Sequence, residues 1–520
     1  QEPVTEEELA KAKVQKVSGS IFYNQSIDDL AGDVAGNEMS TGNPLFTAYY
    51  VDEIQKVTTE QIRRVAKKYL HRDNLTVVAV RPKASAEATG EKADAGETTR
   101  EVRKLTLDNG LTLLLKRNPA LPLVSMQAYG KAGVRLETET TNGYTRFMTK
   151  MLLKGTGKRT ADEIAAAAER LGGSIDSSSG NNSFSVEVDV LSRDLEEGVE
   201  IISDVILNAA FPEEEIGKVR EELLAEIKRR DDDWRLEADA FFRQVFFIDH
   251  PYRLLPGGTE EAVAAAGRDD LISFYRRYVV PDNMVLAVFG DIDVEKTETL
   301  LDKYFAGMAR SELKLPPVKA APFSEQARQL FKKNEKEQCS ITIGYPGCTV
   351  HDEDRYALLV ADSVLSGIVY PHGWFHEALR GKENLVYYVH ATNWLGLEPG
   401  SFHVLTQTPP DKVERVVTLL RREYERIKEE LVSDDELENA KNNCITMDRL
   451  GKQTNSAQAG GAALNELYGL GFDFSEKMPE KVRAVTAEDV RRVARKYFKG
   501  EVLAVVGPSV PESLVPTKKK

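Results

Sequence analysis

The sequence predicts an α+β protein made of repeated domains, each a β-sheet with helices packed on one face. Two observations support this fold class. Segments near the two ends of the 520-residue chain repeat at a constant offset, and β-branched strand patterns alternate with amphipathic helix patterns between them. A repeat of about 210 residues has the size of a domain and not of a solenoid unit.

The repeat is clearest in two pairs of segments. VTEEELAKAK from Val4 matches VSDDELENAK from Val432, and VTTEQIRRVAKKY from Val57 matches VTAEDVRRVARKY from Val485, both at an offset of 428 residues. A third, looser copy begins at Gly267. A constant offset over this distance indicates that both ends of the chain are copies of one structural unit. The chain is therefore expected to start inside a domain.

Composition places the domain boundaries. Residues 83–100 contain no large apolar side chain, so we predict a flexible linker there. A hairpin signal around Asp-Asn-Gly follows the linker, and a proline-rich segment marks a second boundary. The predicted segments are the C-terminal part of a preceding domain over 1–82, the linker, one domain over 101–312 and another over 313–520.

Periodicity predicts the elements of the domain over 101–312. Two strands flank the Asp-Asn-Gly turn, and apolar residues at helical spacing follow. We predict helices over 142–154, 160–171, 192–208 and 213–230, and a strand over 183–191. Later in the chain, Gly460 and Gly461 are expected to interrupt a helix.

Charge and cysteine content exclude several classes of function. A net charge of −14 argues against a nucleic-acid partner, and no apolar run approaches the roughly 18 residues of a membrane span. An acidic surface is compatible with basic ligands, although it more often serves solubility. Cys339, Cys348 and Cys444 form no C-x-x-C pair, so neither a disulfide framework nor a thiolate zinc site is expected. Any targeting segment lay upstream or never existed, and a periplasmic or secreted location is slightly favoured over a cytoplasmic one.

The segment NGYTRFMTKMLLKGT, from Asn142, has the spacing of a metal-binding helix without its ligands. Arg146, Thr149 and Lys150 lie at i, i+3 and i+4, which places them on one helix face. This is the spacing of H-x-x-E-H, in which two histidines bind zinc and the glutamate is the general base. None of the three residues can serve as zinc ligand or base.

A series of segments resembles the insulinase/pitrilysin family of zinc metallopeptidases along nearly the whole chain. The segments are LDNGLTLLLKRNPALPLVSMQAYGKAG, NGYTRFMTKMLLKGT, FPEEEIGKVREELLAEIKRR, HPYRLLPGGTEEAV and FYRRYVVPDNMVLAVFGDID. The resemblance implies a metallopeptidase fold of the LuxS/pitrilysin type, in which two halves close like a clamshell over an unfolded peptide. It further implies that this chain holds the end of a first half and a complete second half, with peptidase-like domains over 101–312 and 313–520.

The resemblance also assigns the metal positions. The two zinc-binding histidines of the family fall on Arg146 and Lys150, the catalytic glutamate falls on Thr149, and the third ligand falls on Glu226 of LLAEI. We expect no metal in this chain and zinc in the upstream half. Two arrangements remain open: Arg146 and Lys150 occupy the vacated metal position and pair with Glu226, or all three are solvated helix charges.

A second group of candidate residues lies in FHEALRGKENLVYYV, from Phe375. The segment matches the family pattern L-R-x-K-x-x-L-x-Y, with Arg380 and Tyr387 at its Arg and Tyr, and Asn384 where some members have glycine. The resemblance implies that this pair binds substrate and the developing oxyanion across the clamshell, a role suited to a guanidinium and a phenol. Alternatively, Arg380 caps a helix and Tyr387 is a half-buried aromatic residue of a sheet.

His372 and His376 are four residues apart, a spacing that could begin a zinc site. No H-E-x-x-H pattern accompanies them, and Gly373 weakens a helix between them. We therefore do not predict a metal role for this pair.

The sequence predicts the noncatalytic, substrate-binding half of a zinc metalloendopeptidase, inactive by itself. Its expected partners are an unfolded peptide substrate and the upstream catalytic half of the same polypeptide. The alternative is a nonproteolytic structural or scaffold member of the same family.

Overall fold

The computed structural model describes residues 4–23, 27–70, 101–311, 313–318, 323–368, 372–509, 511 and 514. The predicted linker over 83–100 lies outside the described residues.

Four helices precede the first sheet. They are α1 (Glu6–Tyr23), α2 (Ile27–Thr41), α3 (Phe46–Gln55) and α4 (Thr59–Tyr69).

The next unit contains six strands and eight helices among the described residues. In chain order these are β1 (Arg103–Thr106), β2 (Thr112–Arg117), β3 (Leu123–Lys131), α5 (Tyr144–Leu152), α6 (Ala161–Arg170), β4 (Ser174–Ser179), β5 (Ser183–Leu191), α7 (Leu195–Leu207), α8 (Glu213–Arg230), α9 (Trp234–Phe246), α10 (Glu260–Ala265), α11 (Arg268–Tyr278), β6 (Met284–Gly290) and α12 (Val294–Phe305).

The last unit repeats this pattern with five strands in the described part of the chain. Its elements are β7 (Arg328–Lys333), β8 (Cys339–Pro346), α13 (Asp354–Ser366), α14 (Trp374–His376), β9 (Val389–Trp394), β10 (Ser401–Thr408), α15 (Val413–Glu429), α16 (Asp434–Leu450), α17 (Asn455–Leu467), α18 (Met478–Ala484), α19 (Ala487–Tyr497) and β11 (Val502–Gly507).

The two sheets have the same topology. The first has the order β1-β2-β6-β3-β5-β4 and the second the order β7-β11-β8-β10-β9. In both, one pair is parallel (β2 with β6, β7 with β11) and the pairs that follow are antiparallel. Apart from β1, each strand of the first sheet therefore has a counterpart in the second. The predicted α+β class with repeated domains is confirmed.

Helix caps recur at matching positions of the repeat. The Thr58 hydroxyl accepts from the N–H of Gln61 at the start of α4, and the Thr486 hydroxyl accepts from the N–H of Asp489 at the start of α19. Both helices also have the reciprocal bond that completes a capping box. The third copy, at Gly267, keeps only the bond from the Gly267 N–H to Asp270.

Each sheet packs its own helices on one face and a helix of the other unit on the opposite face. Helix α17 crosses to β3 and β6, where Ala459 and Ala463 are buried, and α9 crosses to β8 and β11. These two helices occupy the same place in their units, after α8 and α16. Helices α17 and α9 thus cover sheet faces that would otherwise expose apolar side chains to water.

The small residues of α17 allow this close approach. A Cβ at Gly460 would lie 3.2 Å from the Tyr129 hydroxyl of β3, whereas a Cβ at Gly461 would have nothing within 4 Å. The predicted interruption of the helix at these glycines is wrong, because α17 runs through both. Packing of α17 against the sheet, through buried residues such as Ala459, Gly460 and Ala463, offsets the low helix propensity of the two glycines.

His250 provides a pH-dependent contribution to stability. The ring is buried, its Nδ1 accepts from the N–H of Tyr252 at 3.0 Å, and burial lowers its pKa to about 4. A lowered histidine pKa means that the unfolded chain binds more protons between pH 6.5 and 4, so stability is lost as pH falls through this range.

We expect His250→Asn to reduce the loss of unfolding free energy between pH 7 and pH 5 by about 2 kcal/mol. The asparagine side-chain oxygen can still accept the hydrogen bond from the Tyr252 N–H, but it does not titrate. Urea unfolding at pH 7 and pH 5 checks the difference between the two pH values. The exposed His351 provides the control substitution His351→Asn, for which the pH dependence should stay that of the wild type. An unchanged pH dependence in His250→Asn would contradict the assignment.

Candidate functional site

A buried carboxylate fixes the start of α5, the helix that contains Arg146, Thr149 and Lys150. The Glu137 carboxylate accepts from the N–H groups of Gly143 and Thr145, at 2.9 and 2.8 Å, and from the Asn142 amide at 2.9 Å. Burial raises the pKa of Glu137 despite these bonds. Gly143 adopts φ +98°, a conformation that favours glycine. The cap satisfies N–H groups at the helix start and orients α5.

Arg146 and Lys150 of α5 pair with Glu226 of α8. One Glu226 oxygen accepts from Arg146 Nη2 at 2.6 Å and from Nε at 3.1 Å, and the other accepts from Lys150 Nζ at 3.2 Å. Lys150 also bonds to Glu222 at 2.6 Å. The predicted pairing is confirmed, and the alternative of three separate solvated charges is wrong. We refer to Arg146, Lys150, Glu222 and Glu226 as the ion-pair cluster.

The cations of the ion-pair cluster stabilise the ionised form of Glu226. The pKa of the Glu226 carboxyl is lowered, because Arg146 and Lys150 outweigh the partial burial that opposes them. Thr149 is buried, and its hydroxyl donates to the Thr145 carbonyl at 2.6 Å. Within the described ranges, no three His, Cys, Asp or Glu side chains are grouped so that they could hold a metal ion. The two cations and the two carboxylates of the cluster neutralise one another.

A cleft of about 240 Å³ adjoins the ion-pair cluster. Its wall includes Arg146 and Lys150 on one side and Ser177 and Ser179 on the other. The two serines belong to β4, the edge strand of the first sheet, so the cluster faces a polar sheet edge.

The structure brings Arg380 and Tyr387 together. The Arg380 guanidinium carbon lies 5.1 Å from the centre of the Tyr387 ring, within the range of a cation–π contact. Arg380 lies in a π-helical turn, and Tyr387 lies two residues before β9 with 79% of its surface exposed. Tyr387 is therefore an exposed residue and not a half-buried sheet residue, and Arg380, which is partly buried, lies against its ring.

The loop between these two residues is anchored on the core. The Leu385 N–H donates to the Leu379 carbonyl at 2.8 Å, and the Thr408 hydroxyl donates to the Leu385 carbonyl at 2.8 Å. Asn384 has φ +49°, a left-handed conformation that glycine adopts most easily and asparagine tolerates. The asparagine at the family's glycine position thus keeps a glycine-like turn.

His372 and His376 do not share a helix face. Helix α14 begins only at Trp374, after Gly373 with φ +95°. Both histidines line a cavity of about 720 Å³, together with Arg380 and Glu436.

Fold and site together define a class of protein. Two α+β units share one sheet topology, and helix α5 of the first unit carries an ion-pair cluster at the positions that the sequence resemblance assigns to zinc ligands. The family profile described as "Insulinase (Peptidase family M16)" matches residues 112–251, and the one described as "Peptidase M16 inactive domain" matches residues 265–444. The chain belongs to this insulinase/pitrilysin family.

Relatives and solved structures agree with the family. An uncharacterized zinc protease of Streptomyces coelicolor is 27% identical over 418 residues, which is 78% of this chain and 90% of that protein. A protease from Helicobacter pylori has a TM-score of 0.74 at 20% identity, over 78% of this chain and 99% of that one. A peptidase M16 inactive domain from Pseudomonas fluorescens has a TM-score of 0.73 at 18% identity, over 79% and 98%. The two solved structures support the fold alone.

No helix in the described part of the chain is long and apolar enough to cross a membrane.

Proposed function

We propose that this chain is the noncatalytic, substrate-binding half of a zinc metalloendopeptidase whose zinc site lies in an upstream half of the same polypeptide. The proposal rests on the difference between the residues of α5 and those around Arg380 and Tyr387. Arg146, Thr149 and Lys150 stand where the family's zinc helix has its two histidine ligands and its base. By contrast, Arg380 in its π-helical turn and Tyr387 before β9 lie in contact with each other. The match to a profile of inactive M16 domains supports this division of roles.

The chemistry of the Arg380–Tyr387 pair suits a peptide substrate. A guanidinium and a phenol are strong hydrogen-bond donors, and both can bind a peptide carbonyl whose oxygen gains negative charge in the transition state. An anchored backbone limits the reorganisation needed when that charge develops. The substrate implied is an extended, unfolded peptide held between the two halves.

Tyr387→Phe in the polypeptide that includes the upstream half tests the proposal. We expect kcat to fall by about 10- to 100-fold with little change in KM, because one donor to the oxyanion is lost. Arg380→Ala should lower kcat and also raise KM, since it removes a charge as well as donors. Peptide hydrolysis at several substrate concentrations separates the two constants.

The exposed Tyr49 of α3 provides the control Tyr49→Phe, which should retain wild-type turnover. Unfolding of Tyr387→Phe should match the wild type, because the ring remains. Normal turnover in both site variants would contradict the proposal and favour a nonproteolytic scaffold.

A further inference from the structure

Arg235 lies against two aromatic side chains where α9 meets the second sheet. Its guanidinium carbon is 4.9 Å from the centre of the Trp234 ring and 4.9 Å from the centre of the Tyr388 ring. The two rings contact each other edge to face, with their centres 5.7 Å apart. Trp234 and Arg235 belong to α9, and Tyr388 directly precedes β9. We refer to these three residues as the Arg235 site.

Hydrogen bonds fix the backbone on both sides of the Arg235 site. The Asp233 carboxylate accepts from the Arg235 N–H at 2.7 Å and from the Leu236 N–H at 3.1 Å, which caps α9. The Thr406 hydroxyl of β10 donates to the Tyr388 carbonyl at 2.5 Å. The two rings are therefore held in place, and stacking on them restricts the conformations of the Arg235 side chain.

Arg235 retains hydrogen-bond donors for a ligand. It is exposed, and it forms no salt bridge with any residue that the structure describes. The two carboxylates nearest to it in the sequence have other partners. Asp233 caps the helix, and Glu237 pairs with Lys332 and Lys336, at 3.0 and 2.9 Å. A guanidinium carries five N–H donors in a planar fork that fits a carboxylate.

The Arg235 site adjoins the pair of residues that we propose binds substrate. Tyr388 directly follows Tyr387, whose ring contacts Arg380. Consecutive Cα atoms are about 3.8 Å apart, so the Arg235 guanidinium lies within roughly 15 Å of the Tyr387 backbone. An extended peptide covers this distance with about four or five residues. One peptide is therefore long enough to contact Arg380, Tyr387 and Arg235 together.

We propose that the Arg235 site binds a carboxylate of the peptide substrate, either an Asp or Glu side chain or the C-terminal carboxylate. The guanidinium donates to the carboxylate oxygens, and the rings exclude water from the faces that they cover, which strengthens these hydrogen bonds. Arg235 selects among substrates and takes no part in cleavage of the peptide bond. The inference rests on the proposed function in assigning the carboxylate to the peptide that Arg380 and Tyr387 bind.

Three unstructured peptides test the Arg235 site in the 520-residue chain, in an assay that does not require hydrolysis. All are acetylated at the N-terminus and contain about 14 residues of Gly, Ser, Leu and Gln, enough to extend past both Tyr387 and Arg235. The first has one central Glu and an amidated C-terminus. The second has Gln in place of that Glu, and the third is the second with a free C-terminal carboxylate.

Isothermal titration calorimetry should show that the first or the third peptide binds at least about 5-fold more tightly than the second. Tighter binding of the first identifies a side chain as the source of the carboxylate, and tighter binding of the third identifies the C-terminus. The chain has a net charge of −14, which disfavours anions in general. A preference for the carboxylate peptide therefore indicates a local site.

Substitutions of Arg235 should change this preference in a graded way. Arg235→Gln should abolish it, and Arg235→Lys should leave about 2-fold, because an ammonium keeps the charge but lacks the planar fork. Arg277→Gln is the matched control, since Arg277 is also exposed and lies 5.3 Å from the centre of one ring, that of Tyr278. It should keep the wild-type preference. Urea midpoints of the variants should match the wild type, because both side chains are exposed.

Equal or undetectable binding of the three peptides would overturn the inference, and so would a preference that persists in Arg235→Gln. The turnover of Tyr387→Phe separates this result from the proposed function. If Tyr387→Phe lowers kcat but the three peptides bind equally, the proposed function stands and the Arg235 site is refuted. If the preference depends on Arg235 while Tyr387→Phe has normal turnover, the Arg235 site binds peptide carboxylates in a nonproteolytic protein.

Discussion

The chain with Arg146→His and Lys150→His is expected to bind about one equivalent of zinc, whereas the wild-type chain binds none stoichiometrically. Glu226 already lies within hydrogen-bond reach of both side chains, and the Glu137 cap holds α5 in place. Two imidazoles and one carboxylate are a complete protein ligand set for a zinc site with an open position. Thr149 stays unchanged because it is buried and zinc binding does not require the base.

Metal analysis after dialysis and the absorption spectrum of the cobalt-substituted protein measure this gain. Adding Glu226→Gln to the two histidine substitutions should weaken zinc binding at least about 10-fold, since it removes a ligand and keeps the shape. The zinc-free double variant should also melt below its zinc-loaded form, because a ligand bound only by the folded state stabilises it. A wild-type chain that holds one zinc ion and loses it with Glu226→Gln would contradict our account of the ion-pair cluster.

Gly344→Ala is expected to destabilise the chain by about 3 kcal/mol, as overpacking of a full core does. A Cβ at Gly344 on β8 would overlap the Phe242 ring of α9. That ring is fully buried, with the Phe246 ring at 4.9 Å and the His403 ring at 5.0 Å, so it has no space to move into. The loss should appear as a lower urea midpoint at pH 7.

Gly461→Ala on α17 is the control, because it adds the same methyl group at an open position. Nothing lies within 4 Å of a Cβ there, so the substitution should stabilise the chain by about 0.5–1 kcal/mol through helix propensity alone. Combining Gly344→Ala with Phe242→Leu should cost less than the sum of the single effects, because the smaller side chain relieves the overlap. Strict additivity would show that the two residues do not compete for the same space.

Local signals in the sequence determined most of the secondary structure. Strand β5 and helix α8 have the predicted bounds, 183–191 and 213–230, because alternation of apolar residues and the proline before α8 act within a few residues. The predicted helix over 192–208 begins with a 3-10 turn, Ser192–Asp194, and only then becomes α7. Such errors at element ends are expected where the first turn lacks a side-chain cap.

The prediction that Arg146 pairs with Glu226 depends on the resemblance to the family and not on the spacing of the two residues in the sequence. The residues are 80 positions apart, and no local pattern links them. The backbone conformation of Asn384 could likewise not be predicted from the sequence. Its φ of +49° shows that it adopts the left-handed conformation. The contact of Arg380 with the Tyr387 ring also depends on the turn at Asn384.

The sequence by itself determined the repeat, the α+β class and the absence of zinc-binding side chains at Arg146, Thr149 and Lys150, because each can be read from residue identity and short-range order. Only the tertiary structure decided that α17 packs on the first sheet and α9 on the second, and that Glu137 caps α5. Gly460 shows why: its local propensity opposes a helix, and close packing against Tyr129 of β3, more than 300 residues earlier in the chain, favours a residue without a side chain there. Packing between distant segments depends on shape complementarity that forms only when the chain has folded.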